Sequence, residues 1–334
     1  LYGDSMMKII LSYGKILSLN NILKIIFFFG VSLMSLACLA ADKKNMTVDE
    51  EKKYYKSAKV RVIYSLNEIE QTDINKNNIP DYVENIAIQA NATIDALDYL
   101  GFVNPLNSPR YKSQVNYIDI HVVSISYNGI AYDKPYLASF DGIKKDKALL
   151  IKLNNRLENF PGNYWTVVAH EIFHLYQYGY SPLKPSWYLE GMANWSERLL
   201  RKDDIDRKGR ILLPTTTSSL QNNIYQIPYN KLWYRLAFLS NKMNDIKLNL
   251  PDSIIKRKYV DGSPVFKDNS FSGYIFMRNF LSNLSLVAND RKLLLPLNKY
   301  NNFYNSSIIV NCLKKTIIES GIKLDSDEKD FLNL

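Results

Sequence analysis

Cysteine and histidine are both scarce in this chain, which has two of the first and three of the second in 334 residues. Cys38 lies in an apolar N-terminal stretch and is expected to leave the fold, so only Cys312 remains and an intramolecular disulfide is excluded. Stability must then come from a sizeable core, and from bound metal if the fold holds any. Glycine and proline are few beside heavy use of Lys, Asn, Ile and Tyr, a bias of AT-rich coding that carries no functional information. Also missing are an internal repeat, a nucleic-acid-binding motif and an uninterrupted apolar run of the roughly 20 residues that a spanning helix needs.

What is present describes a globular chain. A hydrophobic content of 46% with 22% charged residues excludes disorder, and the length suits one large domain or two lobes around a shared cleft. At the N-terminus Lys8, Lys15 and Lys24 precede the apolar run from Ile25 to Leu36, which gives way to Ala37-Cys38-Leu39-Ala40-Ala41-Asp42. Residues 1–40 thus have a signal-peptide layout, and a secreted or periplasmic product is expected. Two processing routes remain open. One is a cut after Ala40 or Ala37; the other is lipoprotein processing that leaves Cys38 as a lipid anchor. The net charge of +9 favours contact with anionic envelope polymers or acidic partners, but the basic residues are scattered.

Periodicity orders the rest. Residues 41–58 are polar and read as a flexible lead-in. Val60 to Tyr64, Tyr117 to Ser126 and Ala148 to Leu153 read as strands. A polar turn from Asp73 to Asp81 opens a helix to about Leu100, stopped by Gly101. Further helices are expected from Tyr164 to Tyr178 with Gly179 as stop, from Trp187 to Leu200, from Asn230 to Lys242, from Gly273 to Leu284 and from Ser307 to Ser320. The pattern is α+β, with a mixed strand and helix lobe over 59–162 and a mainly helical lobe over 163–334.

The strongest local signal is His170-Glu171-Ile172-Phe173-His174 inside an expected helix. Residues four apart share a helical face, so both imidazoles can reach one ion, the arrangement of an HExxH zinc site. Glu171 points about 100° around the helix, where it can act as general base on a water that zinc activates. A catalytic zinc needs a third protein ligand. The metzincin histidine is absent, and Glu190, on the next helix, is the candidate. Gly191 beside it removes a side chain where helices would approach closely. Glu197, seven residues on, shares the face and is a natural acceptor for the remaining N–H of a ligating histidine. An oxyanion donor is also needed; Tyr274 is a candidate, whereas His121, at an alternating strand position, reads as structural.

Trp187 to Glu197 resembles the Trp-x-x-Glu-Gly-x-Ala-x-x-x-Glu helix of gluzincin peptidases, in which the first Glu binds zinc. The segment order is similar to that of a group of exported bacterial metalloproteases, matched here by Asp73 to Glu84, Val168 to Gln177 and Trp187 to Glu197. The likeness covers roughly residues 60 to 200. It implies a zincin-like fold with the zinc site between the lobes, and a secreted zinc endopeptidase acting on protein or peptide. The chain departs from the pattern in Asn78 where that group has Gly, and in lacking the exopeptidase Gly-x-Met-Glu-Asn stretch. The alternative is an exported surface-binding or adhesive protein that holds metal for stability without turnover.

A second metal is suggested by Asp73, Asn75, Asn77, Asp81 and Glu84, which fall at positions 1, 3, 5, 9 and 12 of a calcium-type loop, with the Ile79 carbonyl at position 7. Position 6 needs a left-handed turn, which Asn78 can adopt. The other reading is a polar turn that caps the following helix.

Overall fold

A mixed six-stranded sheet organises the first half of the computed structural model, which describes residues 52–140, 143–162, 166–202, 204–241, 248–290 and 302–334. The expected leader of residues 1–40, Cys38 within it, and residues 41–51 lie outside the described residues. Lys52–Leu334 forms one compact unit.

The strands are β1 (Lys53–Ser57), β2 (Val60–Tyr64), β3 (Tyr117–Val123), β4 (Gly129–Ala131), β5 (Tyr136–Phe140) and β6 (Ile143–Asn154). Their order is β1-β2-β3-β6-β4, with β2, β3 and β6 mutually parallel and β5 also paired with β6. β6 is long enough to take β5 antiparallel along its first half and β4 antiparallel along its second. Val60, Val62, Ile118, Ile120, Leu149 and Ile151 alternate onto one face and are buried. Against that face lies helix α1 (Asp81–Tyr99), whose Val83, Ile86, Ala87, Ala90, Ile94 and Leu97 recur at helical spacing and are buried. Gly101, at φ 83, ends it in the left-handed conformation that glycine adopts without steric cost.

The other face of the sheet carries a polar network. Arg61 makes a bidentate pair with Asp119 at 2.6 and 2.9 Å; Tyr136 donates to Asp119, and His121 Nε2 lies 2.9 Å from the Tyr136 hydroxyl. Burial, with Lys52, Lys152 and Arg61 adding to it, lowers the His121 pKa to about 4.

Helices make up the remainder: α2 (Val167–Tyr180), α3 (Ser186–Ser196) with a 3-10 turn at Glu197–Leu199, α4 (Leu232–Asn241), α5 (Tyr274–Asp290) and α6 (Asn302–Glu319). α2 packs on α1, β4 and β6 and carries α3 on its other side, while α5 contacts α2, α4 and α6. The helical core is aromatic, with Trp187, Tyr188, Trp195, Trp233, Phe271 and Phe280 all buried. The molecule is thus α+β, as its periodicity indicates. Among the described residues no helix is long and apolar enough to cross a membrane.

Several expectations need correction. The lead-in of residues 41–58 is not structureless throughout, because Lys53–Ser57 forms edge strand β1; an edge strand half in water needs no apolar pattern. Gly179 does not stop α2, which runs on to Tyr180; its missing side chain matters because a Cβ there would lie 3.1 Å from Ser108 Cβ. The close approach expected at Gly191 exists, yet its partner is α4 and the loop before it. A Cβ at Gly191 would lie 2.8 Å from the Trp233 ring and 2.9 Å from Asn230 Nδ2.

Candidate metal centre

Helix α2 turns the spacing of its two histidines into direction. The rings of His170 and His174 lie 4.8 Å apart, centroid to centroid, and nearly perpendicular, on the face toward α3. Each ring is fixed through Nδ1. His170 Nδ1 is 3.0 Å from Glu197 Oε1, and His174 Nδ1 is 2.9 Å from Gln177 Oε1 one turn further on. Gln177 in turn donates to the carbonyls of Tyr188 and Leu189, at 3.3 Å each, and so ties α2 to the first turn of α3.

With Nδ1 engaged as donor, both Nε2 atoms face Glu190 on α3. Glu190 Oε2 is 3.3 Å from His170 Nε2, and Oε1 is 3.6 Å from His174 Nε2. One ligand atom from each of the three residues lies within 4.8 Å of the other two, the only such group of His, Cys, Asp or Glu among the described residues. Two imidazole lone pairs and a carboxylate turned on one another repel unless a cation, either a proton on a ring or a metal ion, lies between them. The titration of the residues carries the same sign. For Glu190, burial opposes ionisation, but the hydrogen bond from His170 and the facing His174 ring outweigh it and hold the carboxyl well below the usual carboxylate range. For His170, burial opposes protonation, but the hydrogen bonds its ring donates to Glu190 and Glu197, with the charges of Glu197 and Glu171, lift its pKa to about 10. His170, His174 and Glu190 therefore form a group able to hold a metal ion, and the donor set fits one.

Glu197 is buried and gathers donors besides His170. It accepts from Thr166 Oγ1 at 2.6 Å, from Asn194 Nδ2 at 3.3 Å and from Arg201 Nη2 at 3.0 Å. Desolvation opposes ionisation, but the hydrogen bond from His170, the Arg201 charge and the Thr166 hydroxyl outweigh it and lower the Glu197 pKa. Glu197 begins the 3-10 turn rather than continuing α3, and the tighter turn still delivers its carboxylate to His170.

Glu171 lines the same cleft and lies against β4. The Ala131 backbone donates to its carboxylate, and a Cβ on Gly129 would stand 2.8 Å from Glu171 Cγ and 2.9 Å from Oε1. Burial, reinforced by the Glu190 charge, raises the Glu171 pKa against the opposing charges of His174 and His170. A raised carboxyl pKa brings a base nearer to neutrality, where proton transfer from water is most favourable.

These residues line a cleft of about 750 Å³. β4 forms one wall and is the terminal strand of the sheet path among the described residues, with Tyr127 before it. Tyr178, stacked on His174 at 6.1 Å, and Tyr229 lie on the helical side. Tyr229 lines the cleft with Glu190, and burial together with the Glu190 charge pushes its pKa up to about 12. Its loop is pinned by the next residue, since Asn230 donates to Trp187 O at 2.8 Å and accepts from Leu232 N at 3.1 Å.

The expectation for Tyr274 is corrected by this arrangement. It opens α5, lies parallel to Phe271 at 6.3 Å, and does not line the cleft. Tyr229 holds the position toward the ligand group instead. Tyr229, Arg201 and Gly129 escape sequence reading because each is brought in by tertiary packing; the only local cue is Pro228-Tyr229-Asn230 ahead of an apolar helix.

The loop from Asp73 to Glu84 closes on itself. Asp73 accepts from Asn77 N at 3.1 Å and Asn78 N at 2.8 Å, Asn75 accepts from Asn77 N at 3.2 Å, and Asn77 accepts from Ile79 N at 2.8 Å. Asn78 adopts φ 65, the left-handed turn needed at position 6. Glu84 Oε2 receives the Asn75 and Asn77 side-chain amides at 3.0 and 2.9 Å, and Asp81 receives Ile74 N at 3.1 Å. Asp73, Asp81 and Glu84 do not draw their oxygens together as the His170 group does.

Set against family models, curated proteins and solved structures, the chain matches none of them. The functional reading therefore rests on the site itself.

Proposed function

We propose that this chain is an exported zinc-dependent endopeptidase of gluzincin type, built on a zincin-like arrangement. The observation that carries the reading is the convergence of His170 Nε2, His174 Nε2 and the Glu190 carboxylate within 4.8 Å, at the floor of a cleft that also holds a buried glutamate. Two histidines and a carboxylate with room for one more ligand are the donor set of a catalytic zinc, whereas structural sites are closed by four protein ligands. Bound by these residues, zinc would supply a Lewis acid that polarises a carbonyl and lowers the pKa of water toward about 7.

The chain's own groups do the rest. Glu171 accepts a proton from the attacking water and returns it to the leaving amine. Tyr229 donates its phenolic hydrogen to the oxygen on which charge develops, the role first considered for Tyr274. The outer edge of β4, where the Ala131 N–H already goes to Glu171, offers its other backbone groups for an extended peptide to align along. We further propose that the Asp73–Glu84 loop binds calcium, supported by its backbone geometry and the left-handed Asn78.

Metal analysis of purified residues 42–334 with a peptide-library digest tests the reading. Stoichiometric zinc and cleavage products are expected, and Glu171→Gln should abolish the products while zinc stays bound. Turnover near the original level in that variant would end the general-base assignment; absence of metal would end the reading as a whole.

A further inference from the structure

Among the described residues lining the cleft, Arg201 is the sole lysine or arginine. Its backbone N–H donates to Glu197 O at 3.1 Å, so the turn that follows α3 fixes where the side chain starts. Nη2 reaches Glu197 Oε2 at 3.0 Å, and the other oxygen of that carboxylate is the one 3.0 Å from His170 Nδ1. A single carboxylate thus separates the guanidinium from the imidazole.

Glu197 does not depend on Arg201 for its orientation, because Thr166, His170 and Asn194 hold it as well. Nor is the arginine sealed away behind the carboxylate: its side chain is 25% exposed against 9% for Glu197. Glu171, Glu190 and Glu197 make the rest of the floor anionic. Against those three carboxylates the lining sets one guanidinium that reaches solvent, and a guanidinium binds a carboxylate through charge-assisted hydrogen bonds. An extended peptide advances about 3.3 Å per residue, so an acid one or two residues from a carbonyl at the His170 group lies within reach.

We propose that Arg201 makes this cleft selective for a peptide carboxylate, supplied either by an acidic side chain near the cleavage point or by the chain's own C-terminus. The proposal rests on the peptidase reading and is tested by binding. Zinc-loaded protein carrying Glu171→Gln is titrated with fluorescein-labelled alanine-rich hexapeptides, read by fluorescence anisotropy. One set carries Glu or Gln at successive positions, and a second pair ends in a free acid or an amide.

The expected result is about tenfold tighter binding of the acid than of its amide partner at one position, reduced to within about twofold when Arg201→Gln is added with zinc content unchanged. Preference at an internal position assigns the side chain as the source, and preference only at the end assigns the C-terminus. Equal binding of acid and amide throughout, persistence of the preference without Arg201, or loss of zinc in the Arg201 variant overturns it. Carboxylate preference without cleavage by the parent protein would sink the peptidase reading and leave this one standing; cleavage without preference does the reverse.

Discussion

Glu197 and His170 share a hydrogen bond of 3.0 Å through Nδ1, while Glu190 faces the opposite nitrogen of the same ring at 3.3 Å. The two glutamates therefore have different parts. Glu190→Ala removes one of three ligands and should abolish stoichiometric zinc. Glu197→Ala should keep zinc at saturating metal and weaken its affinity by about 10–100-fold, as loss of a partner behind a ligand does. Zinc titration of both variants checks this; the reverse pattern would reassign the third ligand.

Gly129→Ala puts a methyl group less than 3.0 Å from the Glu171 side chain, so the glutamate must move. Displacing a catalytic group by about 1 Å costs on the order of 10²-fold in rate. A fall in kcat of that size with normal zinc content is expected, and an unchanged rate would show that Glu171 need not sit beneath β4.

Tyr229→Phe removes a hydroxyl from the lining of the cleft that holds Glu190. If that hydroxyl serves the developing oxyanion, kcat should fall about 10²–10³-fold with KM little changed. Tyr274→Phe, made beside it, should retain activity. A Tyr229 variant as active as the parent would leave the oxyanion to another donor.

His121 contributes to stability in a pH-dependent way. Its folded pKa of about 4 lies below an unfolded value near 6.5, so folding favours the neutral ring. The contribution is present above about pH 6.5 and is lost as the pH falls toward 4, by about 1–3 kcal/mol. His121→Gln keeps a polar group beside Tyr136 and should flatten the difference in urea midpoint between pH 7.5 and pH 5; an undiminished difference would assign it to other groups.

For the Asp73–Glu84 loop, added calcium should raise the thermal midpoint, because a ligand bound only by the folded state stabilises it. At a concentration 100 times the dissociation constant the gain is about 2.7 kcal/mol. Glu84→Ala should remove most of it, and an equal response in both proteins would count against the site.

Helical spacing carried much of this site into the sequence, because a period of 3.6 converts an interval of four into a shared direction. His170, His174 and Glu190 converge as that geometry requires, and Glu197 meets His170 even though α3 ends one residue earlier. The sheet was harder to read. β6 reaches back to Ile143 through Lys144, Lys145, Asp146 and Lys147, whose polar character conceals the half of the strand that pairs with β5. Gly191 shows the other limit: a missing side chain announces a close neighbour but not that the neighbour is Trp233. Tyr229 and Arg201 had no periodicity to betray them, because a loop residue's place is set by what its neighbours pack against.

The separations along the chain have a kinetic meaning as well. His170 and Glu197 are 27 positions apart and joined through a helical hairpin, whereas the Arg61–Asp119 pair between β2 and β3 spans 58 positions and a parallel crossover. Loop closure costs about 0.6 kcal/mol more for each doubling of length, and parallel pairing is rewarded only after the crossover is in place. By separation alone the pairing behind the ligand residues is the cheaper of the two to close, by roughly 0.6 kcal/mol. Glu171 straddles the two, since the strand that desolvates it belongs to the sheet. The contact between Glu171 and Gly129, 42 positions apart, therefore closes a longer loop than the His170–Glu197 pair that steadies the ligand group.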